Sequence, residues 1–104
     1  MNSPVESFLH SVSVEVGRVD AKLGADQDAP SGDGCGPQYA DVLKGARYIN
    51  ELAIAGKVWT WADILREEFF EVLTETDREH LKSELVQVAA VCARWHRALE
   101  GRAP

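Results

Sequence analysis

No apolar run in this chain of 104 residues approaches the roughly eighteen needed to cross a bilayer. Nor does the start, Met1-Asn2-Ser3-Pro4-Val5-Glu6, offer the basic and apolar regions of a signal peptide. Cysteine is scarce. Cys35 and Cys92 are the only two, with no C-x-x-C spacing, so a cysteine-rich zinc site is excluded. Free thiols in a reducing, cytoplasmic setting are the expectation. His10, His80 and His96 form no H-x-x-x-H pair, and no Ser-His-Asp order can be argued. Positive charge is also short: eleven Lys and Arg face seventeen Asp and Glu, a formal charge of -6. A non-specific nucleic-acid binder needs cations to displace counterions, so no nucleic-acid partner is expected, and no membrane. An acidic chain can still meet a phosphate if a metal cation stands between them.

What is present reads as helix. Hydrophobic residues make up 45% of the chain, enough for one small globular domain spanning 1–104. Phe8, Val12, Val16, Val19 and Leu23 repeat at helical spacing, predicting a helix from about Val5 to Leu23. Ser11 to Val16 also alternates like a strand. A Gly/Pro-rich stretch at about 24–37 follows and reads as a surface linker. Its Ser31-Gly32-Asp33-Gly34-Cys35-Gly36 lacks the Gly-Lys-Ser/Thr of a phosphate loop. A second helix is expected over Tyr39 to Ala55, burying Val42, Ala46, Ile49 and Ala53, with Gly56 as its stop. A third opens at Thr60, where Thr60-x-x-Asp63 forms a capping box, and runs to Leu73 or Thr74. A fourth opens at Thr76 or Asp77, with Thr76-x-x-Glu79 as its box, and ends at Gly101. Short connections between the last three favour antiparallel neighbours. The expected fold is all-α, a four-helix bundle-like protomer completed by oligomerisation. A helix apolar around most of its girth from Leu85 to Ala93 points to a second subunit.

Two carboxylates fall where such helices should be greasy. Trp61, Leu65, Glu68 and Val72 share one stripe of the third helix, with Ile64 beside it and Glu71 and Glu75 at its edge. On the fourth, Leu81, Leu85, Val88, Cys92, Trp95 and Leu99 make an apolar seam with Glu84 and Gln87 along one edge. An inward carboxylate costs several kcal/mol unless something positive meets it. Glu68, Glu71, Glu84 and Gln87 together form a hard oxygen-donor set that suits Mg²⁺ or Mn²⁺. The alternative is neutralisation by a local cation, with Arg66, Lys82 and Arg94 available.

The run Trp61 to Glu71 followed by Glu84-Leu85-Val86-Gln87-Val88 resembles the MazG-like nucleoside triphosphate pyrophosphohydrolases, whose signature is E-E-x-x-E on one helix and E-x-x-D on the next. Glu67, Glu68 and Glu71 match the first half, and Glu84 opens the second. The stretch Glu15-x-x-Arg18-x-Asp20-x-Lys22-x-Gly24 is similar to the first helix of a bacterial and phage subgroup, in which the sequence at 84–91 also recurs. The resemblance implies an all-α homodimer or homotetramer that hydrolyses nucleoside triphosphates to a monophosphate and pyrophosphate. It implies Glu68, Glu71 and Glu84 as ligands of Mg²⁺ or Mn²⁺, with Glu67 supporting a ligand or holding a second metal. The fourth ligand falls on Gln87, where the chain departs from the family's Asp; an amide oxygen can coordinate but brings no charge.

In such an enzyme Glu67 is the expected proton acceptor for the attacking water. Arg18, Lys22, Lys44 and Arg47 are the cations available to the phosphates, and Trp59 or Trp61 the rings available to a base. The competing expectation is a helical module that binds a nucleotide or a partner protein without turnover. A purely structural helical dimer is the third.

Overall fold

The computed structural model describes residues 3–24 and 32–102. It is all-helical: α1 (Pro4–Leu23), α2 (Ala40–Ala55), α3 (Trp61–Thr74) and α4 (Arg78–Glu100), with a short 3-10 turn (Pro37–Tyr39) before α2. Among the described residues there is no strand. No helix is long and apolar enough to cross a membrane. The chain divides into two compact units, Met1–Asp33 with Ala93–Pro104, and Gly34–Cys92.

In the first unit α1 is set by its ends. Ser3 Oγ accepts the Glu6 backbone N–H at 3.2 Å, and Pro4 occupies the first helical position. Gly24, at φ 90°, closes the helix by donating its N–H to the Asp20 carbonyl. The alternating segment Ser11 to Val16 is therefore helical, because two competent caps frame a run with helical apolar spacing. No residue of α1 is buried. The rings of Phe8 and His96 meet at 5.0 Å between centroids.

The second unit holds α2, α3 and the N-terminal part of α4. Of the expected linker, residues 25–31 lie outside the described residues, but its end is anchored. Gly36 is buried and donates its N–H to the Leu73 carbonyl at 2.8 Å, satisfying an acceptor in the last turn of α3. The expected α3 capping box forms in full: Thr60 Oγ1 accepts the Asp63 N–H, and Asp63 Oδ2 accepts the Thr60 N–H at 3.0 Å.

Two expectations are corrected. Helix α4 is not capped by Thr76 and Glu79. Asp77 takes that place and accepts the His80 N–H at 2.9 Å, while Glu75 Oε1 accepts the N–H groups of Thr76 and Asp77. A carboxylate caps as well as a hydroxyl, and it sits one residue nearer the first turn. Of the expected α2 stripe Ala46 is buried and Ala53 half-buried, but Val42 and Ile49 are about half exposed, and the buried face is Leu43, Ala46 and Asn50. At 100° per residue this face is rotated by roughly 60° from the expected stripe. Hydropathy missed it because the polar Asn50 lies on the inner side.

The buried apolar core is small: Leu43, Ala46 and Val72 with Val91 in the second unit, and Ala93 in the first. Large apolar side chains remain exposed on every helix, among them Val14 and Leu23 on α1, Leu52 and Ile54 on α2, Phe69 on α3, and Leu85 and Val86 on α4.

Candidate metal centre

The inward stripe of α3 is as the spacing predicts: Trp61, Ile64, Leu65 and Glu68 are half-buried and Val72 is buried. Three residues beyond Glu68, Glu71 lies on the same side of the helix, also half-buried. On α4, Leu81, Val88, Cys92 and Trp95 of the expected seam are half-buried and Leu85 and Leu99 are exposed; Glu84, also half-buried, falls between Val88 and the buried Val91 on the shielded side. These placements bring one carboxylate oxygen from each of Glu68, Glu71 and Glu84 within 4.8 Å of one another.

Convergence of like charge leaves marks on Glu68 and Glu84. Burial, then the charge of Glu71 and a side-chain hydrogen bond with it, then the charges of Glu84 and Glu67 push the Glu68 carboxyl up to about 7. Glu84 is raised too, by burial first and then by Glu71 and Glu75, with Arg47 acting the other way. Oε2 of Glu68 and Oε2 of Glu84 are shielded from solvent with no hydrogen-bond partner. A shielded carboxylate oxygen without a partner is costly, and such an atom calls for an explanation.

Only one cation reaches the cluster through a described ion pair. Arg47, from α2, places Nη2 at 3.2 Å from Glu71 Oε1. Two of the cations expected to neutralise the site pair with other carboxylates: Arg66 with Asp63 and Lys82 with Glu79. Arg94 belongs to the first unit. Arg47 comes from the preceding helix, so no spacing within α3 or α4 announces it.

Of the other expected site residues, Glu67 is half-buried and held by Asn50, whose Nδ2 donates to Glu67 Oε1 at 3.0 Å and to the Asp63 carbonyl at 3.1 Å. Asn50 was missed by sequence reasoning, although it stands four residues from Ala46 on the buried face. The signal that marked Glu68, a polar residue on a core stripe, did not show here because the stripe expected on α2 was Val42, Ala46, Ile49 and Ala53. Gln87 is exposed, and no described hydrogen bond joins it to the carboxylates. Arg18 is paired with Glu15 in the first unit, Lys22 is exposed there, and Lys44 is exposed on α2. Trp61 is half-buried at the start of α3, and Trp59 is about half exposed.

Three carboxylates without thiol or imidazole are the donor set that hard cations take. In an octahedral shell around Mg²⁺ at 2.0–2.1 Å, adjacent oxygens lie about 2.9 Å apart and opposite ones about 4.2 Å, so oxygens within 4.8 Å of one another would draw together on binding one ion. The two orphaned oxygens fit the same ligand. Comparison with known proteins adds no relative: no family model, curated protein or solved structure matches the chain.

Proposed function

We propose that the protein is a metal-dependent nucleotide pyrophosphohydrolase, cleaving a ribo- or deoxynucleoside triphosphate to the monophosphate and pyrophosphate. The observation that carries this reading is the meeting of Glu68, Glu71 and Glu84, with two shielded oxygens left unpartnered. The resemblance of residues 61–71 and 84–88 to the MazG-like pattern supports it. Glu68, Glu71 and Glu84 would hold Mg²⁺ or Mn²⁺. That ion would supply charge neutralisation at phosphate oxygens and a water acidified toward neutrality.

The protein's own groups do the rest. Asn50 fixes one oxygen of Glu67 by hydrogen bonding and leaves the other to take a proton from the attacking water. The water oxygen forms the new bond to phosphorus, the α–β bridging bond breaks, and pyrophosphate departs. Arg47 and Lys44, one helical turn apart on α2, face the phosphate charge. The descending and ascending numbers of the pairs Arg47–Glu71 and Asn50–Glu67 support α2 and α3 as antiparallel neighbours in a bundle. Exposed apolar residues on every helix support completion by a second copy, as homodimer or homotetramer. A cytoplasmic location agrees with two cysteines that form no disulfide.

The second reading, a module that binds without turnover, draws on the exposed Gln87 and the Arg47–Glu71 pair. Product analysis separates the two. The protein and Glu68→Ala are incubated with a panel of nucleoside triphosphates, with Mg²⁺, Mn²⁺ or chelator. Metal-dependent monophosphate and pyrophosphate are expected, with Glu68→Ala reducing turnover by about a hundredfold or more. Diphosphate and inorganic phosphate would mean another reaction. No product from any nucleotide would favour the binding module.

A further inference from the structure

Arg47 faces two ways. Its guanidinium pairs with Glu71, yet its side chain is 52% exposed. It also lines a cavity of about 570 Å³ along α2, with Lys44, Tyr48, Glu51 and Thr74. Lys44, Arg47, Tyr48 and Glu51 stand at i, i+3, i+4 and i+7, so one helix face presents two cations, a phenol and one carboxylate to that space, a net positive charge. In a chain of net charge -6, two adjacent cations at a cavity mark where an anion can be received.

We propose that Arg47 is shared between Glu71 and a phosphate chain seated in this cavity, so that loading the three carboxylates with a divalent cation releases the guanidinium to the phosphates. The inference rests on the metal reading above. A guanidinium at Glu71 and a cation at Glu71 compete for the same carboxylate oxygens. The guanidinium is half in solvent and can swing to Lys44's side without unfolding α2, and there it makes bidentate contact with phosphate oxygens. Metal and phosphate then bind cooperatively, because each favours the same position of Arg47.

Calorimetric titration tests this in phosphate-free buffer, with Mn²⁺ alone as one probe and the preformed manganese complex of inorganic tripolyphosphate as the other. Arg47→Ala should bind Mn²⁺ about threefold to tenfold more tightly, since a competitor is gone, and the tripolyphosphate complex about tenfold more weakly. Lys44→Ala should weaken the tripolyphosphate complex and leave Mn²⁺ affinity unchanged. Arg47→Gln, which keeps the stem and loses the charge, should follow Arg47→Ala and guards against a folding effect. Equal Mn²⁺ affinity in wild type and both Arg47 variants would overturn the shared role while the metal reading stands. No Mn²⁺ uptake by any of the proteins would overturn both.

Discussion

Helices α1 and α3 have much the same amphipathic spacing in sequence and opposite fates in the structure. Along α3 the apolar stripe is half-buried or buried, and the carboxylates on it are drawn into shielded positions. Along α1 no residue is buried, and Leu9, Val12, Val14, Val16, Val19 and Leu23 are all exposed. Periodicity of 3.6 thus specifies a helix and a face but not what covers the face. On α3 the cover is α2, through Leu43, Ala46 and Asn50. Along α1 the surface left open is what a second copy would bury under the proposed oligomer.

The comparison can be broken most forcefully on the α2–α3 side. Leu43→Ala should cost about 2–4 kcal/mol of stability in urea melts, because it removes one of the few buried side chains of the unit. A cost near zero would mean that the second unit is no better packed than α1.

A smaller effect comes from pH. The Glu68 carboxyl is raised from 4.5 to about 7 in the folded state, so the folded chain holds a proton that the unfolded chain releases. Stability of the metal-free protein should then be greater at pH 5.5 than at pH 8, falling as pH rises from about 5 through 7. Discounted for the solvent that still reaches the cluster, the difference is about 1–2 kcal/mol. Glu68→Gln should flatten that slope. Melting temperatures across this range check it, and a Glu68→Gln profile parallel to wild type would contradict it.

The smallest effect belongs to α1. At low protein concentration Val16→Ala should change stability by no more than about 0.5 kcal/mol, since its side chain is already exposed. At high concentration it should shift sedimentation toward the protomer if a second copy covers that face. A large effect at low concentration would mean that Val16 is covered within one chain.

Much of this was legible in residue order where interactions are local. The Thr60–Asp63 box, the end of α3 and the inward turn of Glu68 follow from spacings of three and four residues. What was not legible depends on neighbouring helices. Arg47 reaches Glu71 across 24 positions of chain, and Asn50 reaches Glu67 across 17. Asn50 sits on the true inner face of α2 and Arg47 at its exposed edge, so a search for the most apolar stripe selected Val42 and Ile49 instead. Glu84 stands on the shielded side of α4 for a similar reason. The apolar seam beside it was more conspicuous in sequence but is partly uncovered in the structure.

The central claim is that Glu68, Glu71 and Glu84 form a divalent-cation site. It is tested most directly by melting the protein at pH 8 across a Mn²⁺ titration, beside Glu68→Gln. The account predicts saturable stabilisation of the wild type, in which metal reverses the penalty of three facing carboxylates, and little or none in the variant. A wild type indifferent to Mn²⁺, together with a Glu68→Gln chain that is more stable at every metal concentration, would contradict it. The cluster would then be only a repulsive contact that Arg47 partly relieves.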